Sequence, residues 1–156
     1  YHNRGGYSMK MNKRGVTLIE LVVVFAIIAI GAVLMVPNMG AWIPNYRLRS
    51  ASRDLVSTMR VAQMRAVSNN AEYQVYITGG SYTLQRFSSG LGTWVSEADA
   101  ATLPTGITIN SNNFLNNNPL FRPNSSSNGG SLVLGNTKGT QRTITVLPST
   151  GRISIQ

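Results

Sequence analysis

One carboxylate stands beside a long apolar run near the start of the chain. Between Leu21 and Val36 no side chain is polar, and Glu20 directly precedes this run. A charged side chain at the centre of a membrane helix costs about 2.5–3.5 kcal/mol by insertion scales, so such a residue is kept only where it finds a partner. Glu20 therefore predicts an electrostatic contact with a positively charged group.

The residues before Glu20 form a second pattern. A basic stretch ends in Lys13-Arg14-Gly15. The apolar segment begins at Val16, and Glu20 is its fifth residue. This constellation resembles the class III (prepilin-type) signal of type IV pilins and type II secretion pseudopilins. The resemblance implies that prepilin peptidase cleaves after Gly15 and methylates the new N-terminus at Val16. It also implies that Glu20 pairs with the N-terminal amine of a neighbouring subunit during filament assembly.

Two other interpretations fit the apolar segment less well. Val16–Val36 would span roughly 32 Å as a helix, against a hydrocarbon core of about 30 Å, so a plain membrane anchor matches its length. A secretory signal peptide would need small residues before a cut at its end, and residues 36–42 offer only a poor site. Neither alternative explains Gly15 together with Glu20.

The distribution of charge indicates where the chain resides, and the lack of cysteine limits its chemistry. The formal net charge is +9, but four basic residues precede Gly15, and cleavage there would leave ten basic and five acidic residues. Basic residues beside a membrane segment hold that end in the cytoplasm. The charge pattern therefore predicts a single-pass protein with a cytoplasmic N-terminus and the rest of the chain outside the cytoplasm. The resemblance implies that the membrane is the bacterial inner membrane and that the C-terminal domain is periplasmic. The absence of cysteine excludes disulfides and thiolate metal sites.

The chain is expected to contain a leader, a long helix and a β-rich domain. The leader is 1–15, the helix is 16–68 with its membrane-spanning part at 16–36, and the β-rich domain is 69–156. From 46 to 67 apolar residues recur at three- and four-residue steps, which is typical of an amphipathic helix. The predicted fold is therefore α+β and pilin-like, with the helix packed on antiparallel β-sheet.

Three local signals mark the course of the helix. Pro37 and Pro44 each remove a backbone donor and are expected to kink or locally melt it. A proline at the place of Pro37 is also usual in pilin-like helices. The Asn69-Asn70 pair is expected to end the helix.

Beyond the helix the apolar period changes to two. Glu72–Thr78 and Ser81–Phe87 flank Gly79-Gly80, which is typical of a β-hairpin. Shorter strands are predicted at Thr93–Val95, Gly106–Asn110, Ser131–Leu134, Arg142–Leu147 and Arg152–Ile155. Residues 110–130 contain twelve Asn or Ser and are predicted to be a surface loop that buries little.

The C-terminal half carries a further resemblance. Phe121-Arg122-Pro123 followed by Gly129, the Leu132-Val133-Leu134 strand and the closing Gly151-Arg152-Ile153 resemble the GspH/FimT family of H-type minor pseudopilins and FimT/FimU-like minor pilins. The resemblance implies a structural subunit without a cofactor. Its implied partners are other pilin or pseudopilin subunits, prepilin peptidase, the inner-membrane assembly platform and the lipid bilayer.

DNA capture is the alternative function. Some FimT-like minor pilins bind DNA for natural transformation through a Gly-Arg-x-Arg motif, whereas here Ser154 replaces the second arginine. Arg142 and Lys138 could add charge near Arg152, since neutralising a phosphate backbone needs several basic residues on one surface. The helix arginines are expected instead to form a solvated or filament-facing side.

An enzyme is not expected. The sole histidine, His2, lies in the leader, so acid–base chemistry would fall to Glu97 and Asp99 in a loop. Such a pair is usually solvated, and a calcium site would need more oxygen ligands. The sequence therefore predicts no catalytic residue and no metal site.

Overall fold

The chain divides into two compact units. These are Tyr1–Met39 and Gly40–Gln156, and the computed structural model describes residues 16–35 and 39–156. In the first unit the described element is helix α1, Leu18–Met35. Within the described residues, no helix combines the length and the apolarity that a membrane crossing requires. The predicted span reaches Val36, which lies outside the described residues, as do the leader 1–15 and Pro37.

Helix α2, Met39–Ser68, opens the second unit. It runs through Pro44 without a break, so the helix is not melted at this proline as the sequence suggested. Pro44 lies near the helix start and removes one backbone donor there. The predicted end is confirmed, because Asn70 adopts a left-handed φ of 48° and the Ala71 N–H donates to the Ala66 carbonyl at 3.3 Å.

One stripe of α2 packs into the core. Leu48, Leu55 and Met59 are buried at the helical spacing that the sequence predicts. Small residues on the same stripe, Ala62 and Ala66, are also fully buried, which allows the helix to approach the strands closely.

The strands of the described residues form two antiparallel sheets. They are β1 (Tyr73–Thr78), β2 (Ser81–Ser88), β3 (Thr93–Ser96), β4 (Ala101–Thr102), β5 (Ile107–Asn112), β6 (Leu120–Phe121), β7 (Gly130–Asn136), β8 (Gln141–Val146) and β9 (Ile153–Ile155). The first sheet has the order β3-β2-β1-β6, with β4 also paired to β2, and the second has the order β5-β7-β8-β9. A single core cluster joins side chains from α2 and both sheets. The α+β class is thereby confirmed.

The β1–β2 hairpin is confirmed at its predicted turn. Thr78 pairs with Ser81, and Gly79 and Gly80 have φ values of 54° and 82°. Both conformations suit glycine and match the two-residue turn favoured between twisted antiparallel strands.

The prediction for residues 110–130 is wrong. This stretch contains the end of β5, a short 3-10 helix (Leu115–Asn117) and β6, and it buries Phe114 and Phe121 in the core. Its asparagines bind backbone groups inside the domain. The Asn118 side chain accepts from the Ile77 N–H at 2.9 Å, and the Asn128 amide donates to the Asn118 carbonyl at 2.8 Å. These contacts replace the solvent that an Asn-rich composition suggests.

Candidate assembly surface

Helix α1 exposes its apolar side chains. The large apolar residues described from Val16 to Val33 are all exposed, and Val16 itself is 71% exposed. A contiguous apolar surface of this kind marks a place that lipid or another protein covers.

Glu20 lies in the first turn of α1 and has a local role that the sequence reading missed. Its backbone N–H donates to the Thr17 carbonyl at 3.1 Å and approaches Thr17 Oγ1 at 3.4 Å. Thr17-Leu18-Ile19-Glu20 has the spacing of a capping box, in which the threonine satisfies a free N–H at the helix start. The Glu20 carboxylate makes no ion pair with another described residue. The helix dipole favours a negative charge at this end.

The other predicted processing and assembly residues are only partly described. Val16 lies two residues before the start of α1 and is exposed, whereas Gly15 and Pro37 lie outside the described residues. Cleavage after Gly15, methylation at Val16 and pairing by Glu20 therefore stay predictions.

The three basic residues considered for DNA binding are not gathered at one place. Lys138 lies in the turn between β7 and β8, and Arg142 follows at the start of β8. Arg152 pairs through its backbone with Leu147 at the opposite end of β8. By strand alternation Arg142 shares the face of buried Ile144, whereas Arg152 lies on the face opposite Ile153.

Glu97 is exposed, but its carboxylate is not free, as that of a solvated turn residue would be. Its carboxylate accepts hydrogen bonds from Arg65 at 2.9 Å, Arg86 at 2.8 Å and the Tyr73 hydroxyl at 3.1 Å. Asn69 in turn donates to the Tyr73 oxygen at 2.7 Å. Partial burial raises the pKa of Glu97, but the hydrogen bonds from Tyr73, Arg65 and Arg86 outweigh burial and hold this pKa below its ordinary value.

Gly151 explains part of the C-terminal sequence pattern. Its φ is 61°, and a Cβ added there would stand 2.6 Å from both Gln63 Nε2 and the Ser125 carbonyl oxygen. Gln63 also donates to the Thr150 carbonyl at 3.2 Å. The turn before β9 therefore packs directly against α2 and the 122–127 segment, and only glycine fits at this junction.

A cleft of about 320 Å³ lies between α2 and the loop after β3. Asp54 and Asp99 border it, with Val61 and Tyr82 among the other lining residues. Burial and the Asp54 charge raise the pKa of the Tyr82 hydroxyl, while its hydrogen bond with Thr58 acts against this shift. In the part of the chain that the structure describes, no three His, Cys, Asp or Glu side chains are grouped to hold a metal ion.

Two family models match the chain. Residues 10–36 match the prokaryotic N-terminal methylation motif, and residues 51–150 match the type II transport protein GspH. The chain belongs to the GspH family of type II transport proteins. The resemblance drawn from the sequence is thus confirmed, and the first match covers the segment around Gly15, Val16 and Glu20.

The fold of this GspH-family chain is similar to a solved structure. That structure is EpsH, the minor pseudopilin from the Type 2 Secretion System of Vibrio cholerae, with a TM-score of 0.59 at 10% sequence identity. The likeness covers 70% of this chain and 96% of EpsH. No curated protein matches the chain in sequence.

Proposed function

We propose that the chain is a structural minor subunit of a pilus-like filament, either a type II secretion pseudopilus or a type IV pilus, assembled through its N-terminal helix. The observation that carries this proposal is the surface of α1. Its large apolar side chains are exposed, and one carboxylate, Glu20, lies among them without an ion-pair partner in the described residues. Membership of the GspH family supports the same role.

Before assembly, the apolar segment 16–36 would hold the subunit in the inner membrane. The basic leader would lie on the cytoplasmic side and the domain 69–156 in the periplasm, as basic flanks direct. The match to the N-terminal methylation motif supports processing by prepilin peptidase after Gly15 and methylation of Val16. The inner-membrane assembly platform would then transfer the subunit into the filament.

During assembly, the segment 16–36 would exchange lipid for the helices of neighbouring subunits. Burial of apolar surface gives such helices little drive to associate, because lipid is equally apolar. A uniformly apolar surface also favours no one axial position of a helix against its neighbour. The Glu20 carboxylate would supply registry by pairing with the N-terminal amine of Val16 on an adjacent subunit. The role proposed is structural, with no catalytic residue and no cofactor.

Glu20→Ala tests the proposal. The variant should enter the membrane and be cleaved, because removing a charge eases insertion, yet its incorporation into filaments should fall strongly. Asp99→Ala, which removes an exposed loop carboxylate, is the matched control and should assemble normally. Immunoblotting of sheared filaments against the membrane fraction measures both. Normal assembly of Glu20→Ala would remove the registry role.

DNA uptake is the second candidate. Arg152 and Lys138 are exposed, which favours contact with a phosphate backbone. Their separation by the length of β8 favours the structural role instead, because phosphate neutralisation needs several cations on one surface.

A further inference from the structure

Helix α2 has a second stripe, on the side away from the core. We call it the outer face, and every member is exposed: Trp42, Tyr46, Arg49, Arg53, Arg60, Met64 and Val67. At 3.6 residues per turn these positions fall on one side of the helix. The buried residues Leu48, Leu55 and Met59 fall on roughly the opposite side.

The outer face begins with an aromatic pair. The rings of Trp42 and Tyr46 stack with centroids 5.3 Å apart and planes 22° apart. Trp42 is 66% exposed and Tyr46 is 58% exposed, so the pair does not belong to the core. Side chains with an apolar body and a polar tip concentrate where a membrane meets water.

Arginines continue the outer face beyond the aromatic pair. Two surface hollows lie among these side chains. One, of about 250 Å³, is lined by Trp42, Asn45, Tyr46 and Arg49, and the other, of about 110 Å³, by Tyr46, Arg49, Ser50, Arg53 and Asp54. The outer face itself contains no acid, since Asp54 lies on the flank of the helix, where the Ser50 hydroxyl donates to it at 3.4 Å. The charge of this face therefore complements an anionic surface.

We propose that, before assembly, the outer face of α2 lies on the phospholipid headgroups of the membrane that anchors the chain. Trp42 and Tyr46 would sit at the level of the headgroups, and Arg49, Arg53 and Arg60 would contact lipid phosphates. This inference rests on the proposed function, because it requires the segment before α2 to be in the membrane. An amphipathic helix with basic and aromatic residues binds such an interface by burying apolar area and by electrostatic attraction to anionic lipids.

A membrane fits the outer face better than a second copy of the chain. The chain has five acidic residues against fourteen basic ones. Of these acids, Glu97 is bound by two arginines and Glu72 lies 3.5 Å from Arg122. A second copy of the chain would therefore present little negative charge for Arg49, Arg53 and Arg60 to bind. Only residues 36–41 separate the end of α1 from Trp42, so the aromatic start of the outer face lies within a short chain length of any membrane that holds the apolar segment.

Tryptophan fluorescence of the full-length chain tests the inference. The chain has two tryptophans, so Trp94→Phe leaves Trp42 as the sole reporter. This protein is reconstituted in vesicles of phosphatidylcholine alone or with phosphatidylglycerol, with bromine atoms on the acyl chains near the headgroup. Trp42 emission should be blue-shifted relative to that of a tryptophan in water. Its quenching by the bromine atoms should be stronger in vesicles that contain phosphatidylglycerol than in vesicles of phosphatidylcholine alone.

Substitutions of arginine separate a specific face from general charge. Arg49→Gln and Arg53→Gln should each lower the ratio of docked to undocked protein about fivefold, since a basic residue near an anionic surface contributes about 1 kcal/mol. Arg152→Gln makes the same change of charge at an exposed site on the β9 side and should leave quenching unchanged.

Vesicle flotation distinguishes failure of the inference from failure of the proposed function. Protein that does not float with vesicles would overturn both. Protein that floats, but whose Trp42 is quenched equally in the two vesicle types, would overturn the inference alone. The inference would also be overturned if Arg152→Gln lowered the quenching of Trp42 as much as Arg49→Gln and Arg53→Gln do. A blue shift of Trp42 emission that appears only when a second filament subunit is added would overturn it as well.

Discussion

Arg65 Nη1 donates to Glu97 Oε2 over 2.9 Å, which ties the last turn of α2 to the loop that follows β3. The same carboxylate receives Arg86 from β2 and the Tyr73 hydroxyl from β1. One acid therefore joins a helix, two strands and a loop. Ionic hydrogen bonds, rather than apolar contacts, therefore hold these four elements together at this place.

Replacing Glu97 should weaken the domain. Glu97→Gln keeps the shape of the side chain but removes the charge that Arg65 and Arg86 bind. The side chains of Glu97 and Arg65 are 23% and 41% exposed, so solvent reduces the interaction. We expect the free energy of unfolding to fall by about 1–2 kcal/mol in chemical denaturation. Asp99→Asn, two residues further in the same loop, should change it by less than half as much.

The acid dependence of stability should report the same carboxylate. The pKa of folded Glu97 lies below its ordinary 4.5, because hydrogen bonds from Tyr73, Arg65 and Arg86 outweigh the effect of partial burial. The unfolded chain then binds this proton at higher pH than the folded chain does. The contribution of Glu97 is therefore complete above pH 4.5 and is lost as the pH falls through the lower folded value.

Denaturation at a series of acid pH values checks this expectation. Wild type should lose more stability than Glu97→Gln as the pH falls below the ordinary glutamate pKa, and the two should converge at the acid end. Parallel curves over that range would show that Glu97 titrates alike in the folded and unfolded chain.

Gly151→Ala should be costly for two reasons. Alanine disfavours the left-handed φ of 61°, and its Cβ would meet Gln63 Nε2 and the Ser125 carbonyl at 2.6 Å. We expect a loss of about 2–4 kcal/mol, combining backbone strain with overpacking. Gly139→Ala is the matched control, since Gly139 has a φ of 80° with nothing within 4 Å of the added Cβ.

Thermal or chemical unfolding of both glycine variants separates the two causes. Gly139→Ala should show the backbone cost alone, about 1–2 kcal/mol. Equal losses in the two variants would mean that the domain relaxes around position 151, and that the close approach to α2 is not a constraint.

Features with a local cause were predictable from the sequence. The buried stripe of α2 follows from the spacing of Leu48, Leu55 and Met59, and the turn at Gly79-Gly80 from two adjacent glycines. Each of these depends on residues close together in the chain.

Features that depend on distant residues were not predictable. Nothing near Glu97 in the chain indicates that Arg65, 32 positions earlier, will bind it. Strands β4 and β6 have two residues each, too few to show a period. Asn118 and Asn128 resemble loop residues until the folded domain surrounds them with backbone donors and acceptors.

Processing is testable without reference to the fold. If Gly15 is the cleavage signal, Gly15→Leu should leave the full-length precursor in the inner membrane, because a bulky side chain would then stand directly before the scissile bond. Asn12→Leu adds the same side chain three residues earlier and should be cleaved. Protein sequencing of the wild type should begin at a methylated Val16. An intact leader on assembled protein, or an N-terminus near Trp42, would contradict the prepilin assignment.

DNA binding should be weak if the chain is a filament subunit. Lys138 and Arg142 lie at one end of β8 and Arg152 at the other. Strand alternation places Arg142 and Arg152 on opposite faces of the sheet, so a single flat phosphate-binding surface does not use both arginines. For duplex DNA the logarithm of affinity falls with the logarithm of salt concentration by about 0.9 for each phosphate neutralised. Three contacts would give a slope of about −2.7, and Arg152 alone would give about −0.9.

Gel-shift titrations over a range of salt distinguish these cases. We expect weak binding to the full-length protein in detergent, with a shallow slope that Arg152→Gln and Arg142→Gln change equally little. Neither variant should lose filament assembly, because both side chains lie away from α1 in sequence and neither forms an ion pair within the described residues. Tight binding with a steep slope, abolished by Arg152→Gln and accompanied by loss of transformation in a competent host, would establish DNA uptake as the function instead.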